Sequence, residues 1–357
     1  MSKIAIIGSV GIPARYGGFE TLVENLVQSK TAEGLPITVY CSSKAYHVKR
    51  KCYKGVRLKY INFHANGLAS IIYDTLSIVD AIMCQHRRLL ILGVSGAPVL
   101  PLVRLFCKTQ IIVNLDGVEW KRQKWSFLAK LYLRIAEWFA VKFSHVVIAD
   151  NRAIADYLSE SFGCDAKVIP YGGDHAIEAV PDPEAAAHLP EGYALGLCRI
   201  EPENNIGMIL EAFDRISMPL VFIGNWDKSA YGQSLKAKYA NHPTITIHGP
   251  IYDPRGLRAV RDRAQLYLHG HSAGGTNPAL VEMMHFGIPI AAYDCSFNRH
   301  TTENKALYFK TADELRTLVS LLALESSASG AREMVEIAQR RYTWDVIGKA
   351  YFALLEG

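Results

Sequence analysis

The sequence predicts two doubly wound α/β domains in tandem, and three observations carry that prediction. At 357 residues the chain exceeds what one ordinary core accommodates. Short, continuous apolar runs alternate with helical patterns, which is how buried parallel strands between crossover helices read. The alternation breaks once, at 177–192 (IEAVPDPEAAAHLPEG), where three prolines and several acids read as a linker, and then resumes.

The first series opens with KIAIIGS and a helix through ETLVENLVQSK. It continues with ITVYCS, VRLKYINF, LLILGVS, QIIVNLDG, HVVIAD and KVIPYG. The second runs YALGLCRI, MPLVFIGN, TITIHGPI, AQLYLHG and IPIAAYD, and helices at 312–324, 331–340 and 344–355 close the chain. The expected boundaries are an N-terminal domain over 1–176, the linker 177–192, a C-terminal domain over 193–342, and a helix over 343–357 returning to the N-terminal domain. Ligands of such sheets bind beyond the strand C-termini, so a cleft between the domains is the expected site.

Composition narrows the class. Half the residues are hydrophobic and a fifth charged, as in globular proteins, and a net charge of +5 admits an anionic ligand or membrane surface without calling for nucleic acid. Seven scattered cysteines with no Cys-x-x-Cys pair argue against a zinc site or disulfide framework. The start lacks a signal-peptide layout, and the longest apolar run, 89–103, is broken by Gly and Pro; a cytoplasmic chain without a transmembrane helix is expected.

Six features carry candidate chemistry. In HSAGGTNPALVEMMHFGIP (271–289), a loop with Gly275, Thr276 and Asn277 leads into a helix with Pro278 at its first position. Free N–H groups and the helix dipole make an anion site there, and Glu282 faces the same end, placed to accept from ribose hydroxyls. The plainer alternative is a helix capped by Asn277. In the loop GSVGIPARYGGFE (8–20), Gly17 and Gly18 permit close backbone approach, and Arg15 and Tyr16 can reach an acceptor; the spacing is not Gly-x-Gly-x-x-Gly, which disfavours a dehydrogenase. CRIEPENN (198–205) sets Arg199 at a strand end, where its planar fork can grip phosphate, with Asn204 and Asn205 donating or simply turning the chain. Asp116 and Asp150 end neighbouring strands and can take a proton or support a cationic transition state; helix capping is the alternative for Asp150, and Glu119 is a lesser, acceptor-side candidate. His269 and His271 form His-x-His without an evident third metal ligand, so His271 reads as a cleft-lining hydrogen-bonding group. A basic, aromatic helix over 121–143, with Lys121, Arg122 and Lys124 at its start, fits either an anionic membrane surface or a core-packed helix with a solvated edge.

Taken together, GGFE (17–20), RIEPENN (199–205) and PALVEMMHFGIP resemble the GT-B glycosyltransferases of family 4. NLDGVEWKRQKW (114–125), ADNRAI (149–154), IPYGGD (169–174), FIGNWDKSAYG (222–232) and GGTNPALVEMM (274–284) resemble, more narrowly, the bacterial rhamnosyltransferase-like branch. The resemblance implies two Rossmann-like domains facing across a cleft, and metal-independent, cofactor-free transfer of a sugar from a nucleoside diphosphate donor (dTDP- or UDP-linked) with retention. Arg199 would contact the diphosphate and Glu282 the ribose. The backbone at Thr276, Asn277, Ala279 and Leu280 would cradle phosphate, Gly17 and Gly18 would approach it from the other domain, and Gly249 to Tyr252 would flank the base. The narrower branch implies dTDP-L-rhamnose and a lipid-linked saccharide acceptor at the inner face of the cytoplasmic membrane.

Two departures stand out. Gly274 occupies the first position of the family's Glu-x7-Glu, and Asn204 stands where a lysine is usual. The expectation is that Asp116 and Asp150 share the work of the missing glutamate. A nucleotide-sugar epimerase or hydrolase, and an inactive nucleotide-sugar-binding subunit, are the competing readings.

Overall fold

The computed structural model describes residues 2–14, 17–115, 117–121, 125–322 and 328–356. In chain order the first half contains β1 (Ile4–Ile7), α1 (Gly18–Gln28), β2 (Ile37–Ser42), β3 (Cys52–Tyr53), β4 (Val56–Ile61), α2 (Ala69–Met83), β5 (Arg88–Leu92), α3 (Leu100–Phe106), β6 (Gln110–Leu115), α4 (Phe127–Phe143), β7 (Val146–Ala149), α5 (Arg152–Phe162) and β8 (Lys167–Val168). The second contains β9 (Ala194–Leu197), α6 (Ile206–Phe213), β10 (Leu220–Ile223), α7 (Ala230–Tyr239), β11 (Ile245–His248), α8 (Pro254–Asp262), β12 (Leu266–His269), α9 (Pro278–Met284), β13 (Ile290–Tyr293), α10 (Ser296–Thr301), β14 (Leu307–Phe309), α11 (Ala312–Leu322), α12 (Ala328–Arg341) and finally α13 (Trp344–Glu356). Two compact units result: 1–171 together with 344–357, and 172–343.

Unit 1 is built on a sheet of order β3-β4-β2-β1-β5-β6-β7-β8, parallel except for the β3–β4 hairpin. Its central strands are buried on both faces, as IAII of β1 is throughout, because right-handed crossovers cover the sheet on both sides. The order reverses between β1 and β5. There Gly8 (φ +98°) lets the chain pass so close that a Cβ would sit 2.1 Å from the Leu92 carbonyl oxygen. Helix α13 belongs to this unit. Its stripe of Trp344, Ile347, Tyr351, Phe352 and Leu355 is buried, and the Asn114 amide donates to Tyr351 Oη at 2.6 Å.

Unit 2 is a six-stranded, all-parallel sheet, β11-β10-β9-β12-β13-β14, whose order reverses between β9 and β12. Its core joins Ile209, Phe213, Phe222, Trp226, Leu268 and Phe309. Residues 177–192, expected as a linker, pack within unit 2. Ala186 and Leu189 are buried, the Asp182 N–H bonds the Arg255 carbonyl, and the segment packs on α8, because its alanines and leucine offer an apolar side that the prolines disguise in sequence. Helix α4 also starts later than expected. Its first residue is Phe127, and Ser126 caps it through Ala129 N–H. Among the described residues, no helix is long and apolar enough to cross a membrane.

Candidate nucleotide-sugar site

In open α/β sheets, ligands bind where strand order reverses, outside the strand C-termini. In unit 2 that point lies between β9 and β12, so the loops 198–205 and 270–277 form the crevice. The two loops are tied together. The Asn204 amide donates to the Arg199 carbonyl at 2.7 Å, and its Oδ1 pairs with His271 Nδ1 at 2.7 Å. Asn205, at φ +50°, donates to the Gly270 carbonyl, and Ser272 donates twice to the Glu203 carbonyl. From sequence, Asn204 and Asn205 read as donors to phosphate or as residues that turn the chain. Here the Asn204 side chain and the Asn205 amide brace the two loops, because at a switch point neither strand end has a neighbour to pair with beyond the sheet. Arg199 itself is exposed, two residues past β9.

A carbonyl can only accept, so the Asn204–Arg199 bond fixes the orientation of that amide. Its Oδ1 then accepts from His271 Nδ1–H, which makes Nε2 the acceptor atom of a neutral His271 ring. The ring of its neighbour His269 lies with its centroid 5.9 Å from that of His271. His269 is buried against Tyr267, and burial holds its pKa well below the ordinary histidine range. Among the described residues no group of three His, Cys, Asp or Glu comes together that could hold a metal.

Helix α9 begins as the alternative reading had it: Asn277 Oδ1 accepts from Ala279 N–H at 3.0 Å, and Pro278 is the first helical residue. The anion site expected at this helix start is correspondingly reduced. Ala279 and Leu280 give their N–H groups to Asn277, Pro278 has none, and seven residues make a short dipole. What remains is the loop before it, where Gly275 and Thr276 are buried and Gly274 sits at φ +129°. That backbone conformation suits glycine and not glutamate, so the absence of the usual carboxylate at 274 is built into the loop.

Glu282 lies one turn into α9 and is 14% exposed. Arg261 of α8, itself 5% exposed, donates to its Oε2, and His175 Nε2 lies 3.4 Å from Oε1. Burial alone pushes a carboxyl pKa up. Here the Arg261 guanidinium and the His175 contact outweigh burial and hold Glu282 at about 2. Glu282 is therefore a fixed anion with both oxygens oriented. His175 reaches it because Gly173 passes close over the helix: a Cβ there would lie 2.6 Å from the Val281 carbonyl oxygen. Neither Arg261 nor His175 was singled out from sequence. The usable signal for Arg261 was a charge on the apolar side of α8, in line with Leu257 and Val260. His175 gave none, being 107 positions from Glu282.

Gly249 and Tyr252 follow β11, two strands from β9 and so about 10 Å from the switch point; both are exposed.

In unit 1 the corresponding switch point is the loop after β1. Gly17 caps α1 at φ +135°, and Glu20 of the first turn folds back so that its Oε1 accepts from Val10 N–H. The Glu20 carboxylate lies where a Gly17 side chain would be, which explains the glutamate in GGFE; Gly18 lies near Tyr171. Asp150 is 1% exposed at the end of β7, and capping is not its role, since Asn151 caps α5. Glu119 accepts from Trp125 Nε1 at 3.2 Å. Asp116, Arg15 and Tyr16 lie outside the described residues, as do Arg122 and Lys124.

Two doubly wound parallel sheets in one chain, each with its loops gathered at a switch point, define the GT-B fold. Comparison with solved structures agrees. A sucrose-phosphate synthase from Thermosynechococcus elongatus superposes with a TM-score of 0.80 at 17% identity, covering 100% of this chain and 98% of that one. Alr3699/HepE from Anabaena in complex with UDP-glucose gives 0.73 at 14% identity, with both chains covered in full. A glycosyltransferase from Rickettsia africae gives 0.74 at 12%, covering 99% and 98%. By sequence, residues 1–174 match a family model described as a domain of unknown function, DUF1972. No curated protein matches.

Proposed function

We propose that the chain is a retaining glycosyltransferase that moves a sugar, L-rhamnose from dTDP-L-rhamnose as first choice, to a lipid-linked saccharide in bacterial surface polysaccharide synthesis. The observation that carries this reading is Glu282: an ionised carboxylate, oriented by Arg261 and His175, one turn beyond the switch-point loops of unit 2. Such a group accepts two ribose hydroxyls, while Arg199 and the Gly275–Thr276 backbone meet the diphosphate. The GT-B neighbour from Anabaena, seen with UDP and with UDP-glucose, supports a nucleotide-sugar ligand.

In the reaction proposed, the acceptor oxygen bonds to the anomeric carbon on the face from which the diphosphate leaves. The bond from that carbon to the diphosphate oxygen breaks, and the departing oxygen takes the acceptor proton. His271 Nε2 accepts from a sugar hydroxyl, and Asp116 and Asp150 favour the oxocarbenium-like charge. No metal or cofactor enters this scheme; positioning and fixed charge supply the acceleration.

Thermal unfolding and turnover with dTDP-rhamnose, UDP-glucose, UDP-galactose, UDP-N-acetylglucosamine and GDP-mannose, each with and without a lipid-linked acceptor, test the reading. A donor at ~100 times its dissociation constant should add about 2.7 kcal/mol. Acceptor-dependent nucleotide release is the expected result. Release without acceptor would mean a hydrolase or epimerase, and stabilisation without release a binding subunit. Asp150→Asn and Asp116→Asn should each lower kcat about 10²-fold at unchanged donor affinity; normal turnover removes that aspartate from the scheme.

A further inference from the structure

The geometry points to a membrane-docking face on unit 1 formed jointly by α2, α3 and α4, with an anionic phospholipid surface as its occupant. The inference rests on the membrane-held acceptor proposed above and specifies the surface that would meet it.

The three helices share one side of the sheet. β4→β5, β5→β6 and β6→β7 all step in the same direction across it, and right-handed crossovers put their helices on the same face. They are also neighbours. A Cβ on Gly96, in the turn before α3, would touch Asp74 of α2; α3 packs on α4; and Tyr132 of α4 donates to the Ser95 carbonyl.

Each helix turns a bare apolar stripe outward. Along α2 it is Leu68, Ile72, Leu76, Val79 and Met83, spaced three or four residues apart for four turns. On α3 it is Leu102, Leu105 and Phe106, the last two nearly three-quarters exposed. On α4, Phe127, Leu128, Leu131, Ile135 and Trp138 continue it. Most of the exposed large apolar side chains among the described residues gather here. Scattered exposed leucines need no explanation, whereas three adjacent helices lacking cover do.

Charge selects the occupant. Arg104, Lys108, Lys121, Arg134 and Lys142 are exposed on or beside these helices. The acids of α2, α3 and α4 are Asp74 and Glu137, both buried, and Asp80, held by Lys59 at 2.6 Å. A face that is apolar and cationic without an exposed acid complements anionic headgroups over an acyl boundary. A second copy would bring the same cations against these. None of the helices is long and apolar enough to cross, so the face lies on the surface. The basic helix alone, as read from sequence, was one third of it.

The test is flotation of the full chain with vesicles of zwitterionic lipid, with and without about 30% phosphatidylglycerol. Binding to the anionic vesicles, weakened several-fold by 0.5 M salt, is expected. Leu105→Glu with Phe106→Glu, and separately Ile72→Glu, should each reduce binding at least tenfold while leaving the melting temperature and the donor-induced stabilisation intact. Val180→Glu, an exposed apolar residue of unit 2, should bind as the unsubstituted chain does. No vesicle binding, equal loss with Val180→Glu, or a lipid-free dimer dissolved by the same charges would overturn the inference. Because donor stabilisation is read separately, failure of the surface and failure of the nucleotide site are distinguishable.

Discussion

Replacing Glu282 by glutamine should destabilise unit 2 by about 3 kcal/mol at pH 7 and abolish donor stabilisation. The carboxyl titrates at about 2 in the folded chain against an ordinary 4.5, and a difference of that size corresponds to on the order of 3 kcal/mol. The sign follows from the direction. A depressed carboxyl pKa stabilises fully above 4.5, and that stabilisation is lost as pH falls from 4.5 through about 2. Urea unfolding of the two proteins should therefore differ most at neutral pH and converge near pH 2. Glutamine also leaves the Arg261 guanidinium buried without a counter-charge. Arg261→Met should be as damaging, because it leaves the carboxylate in the same apolar surroundings with only His175. Arg261→Lys, which restores the charge without the planar fork, should recover part of the stability and less of the donor affinity. A Glu282→Gln protein with unchanged stability and donor response would mean that the Arg261–Glu282–His175 group does not organise the site.

Gly270→Ala should have the second largest effect. A methyl at this position would lie 2.1 Å from the Asn204 carbonyl oxygen and 2.8 Å from Ile209 Cδ1. The first is backbone and cannot swing aside, so the end of β12 must move away from the β9 loop. That movement breaks the Asn205–Gly270 and Asn204–His271 bonds together. A loss of about 3 kcal/mol and donor affinity at least tenfold weaker are expected, read by urea unfolding and calorimetric titration. Ser272→Ala removes a single hydroxyl bond in the same brace and should cost about 1 kcal/mol. If the two variants behave alike, close approach of the loops is not what holds the crevice.

Much of the fold was legible because parallel strands covered on both faces must be apolar at successive positions. ITVYCS reads as a strand and is β2, buried at all six residues. Two short edge strands escaped this logic. Cys52–Tyr53 pairs as a hairpin on an edge and Leu307–Phe309 is an edge strand, so neither needs a long apolar run. Local chemistry at α9 was equally legible, since Asn-Pro before a helix specifies cap and first residue by short-range geometry alone.

The sequence by itself determined the two doubly wound sheets, the loops at their switch points and the placement of Glu282 near a helix start, because strand burial, crossover handedness and capping act within a few residues. Only the tertiary structure decided what Glu282 is. Its charge depends on Arg261 and on His175, brought over α9 by a glycine-permitted close pass. It likewise decided that the Asn204 side chain braces the two loops, and that the stripes of α2, α3 and α4 adjoin. Each of these turns on which distant groups share a low-dielectric contact or a common face, and pattern along the chain does not encode distance across it.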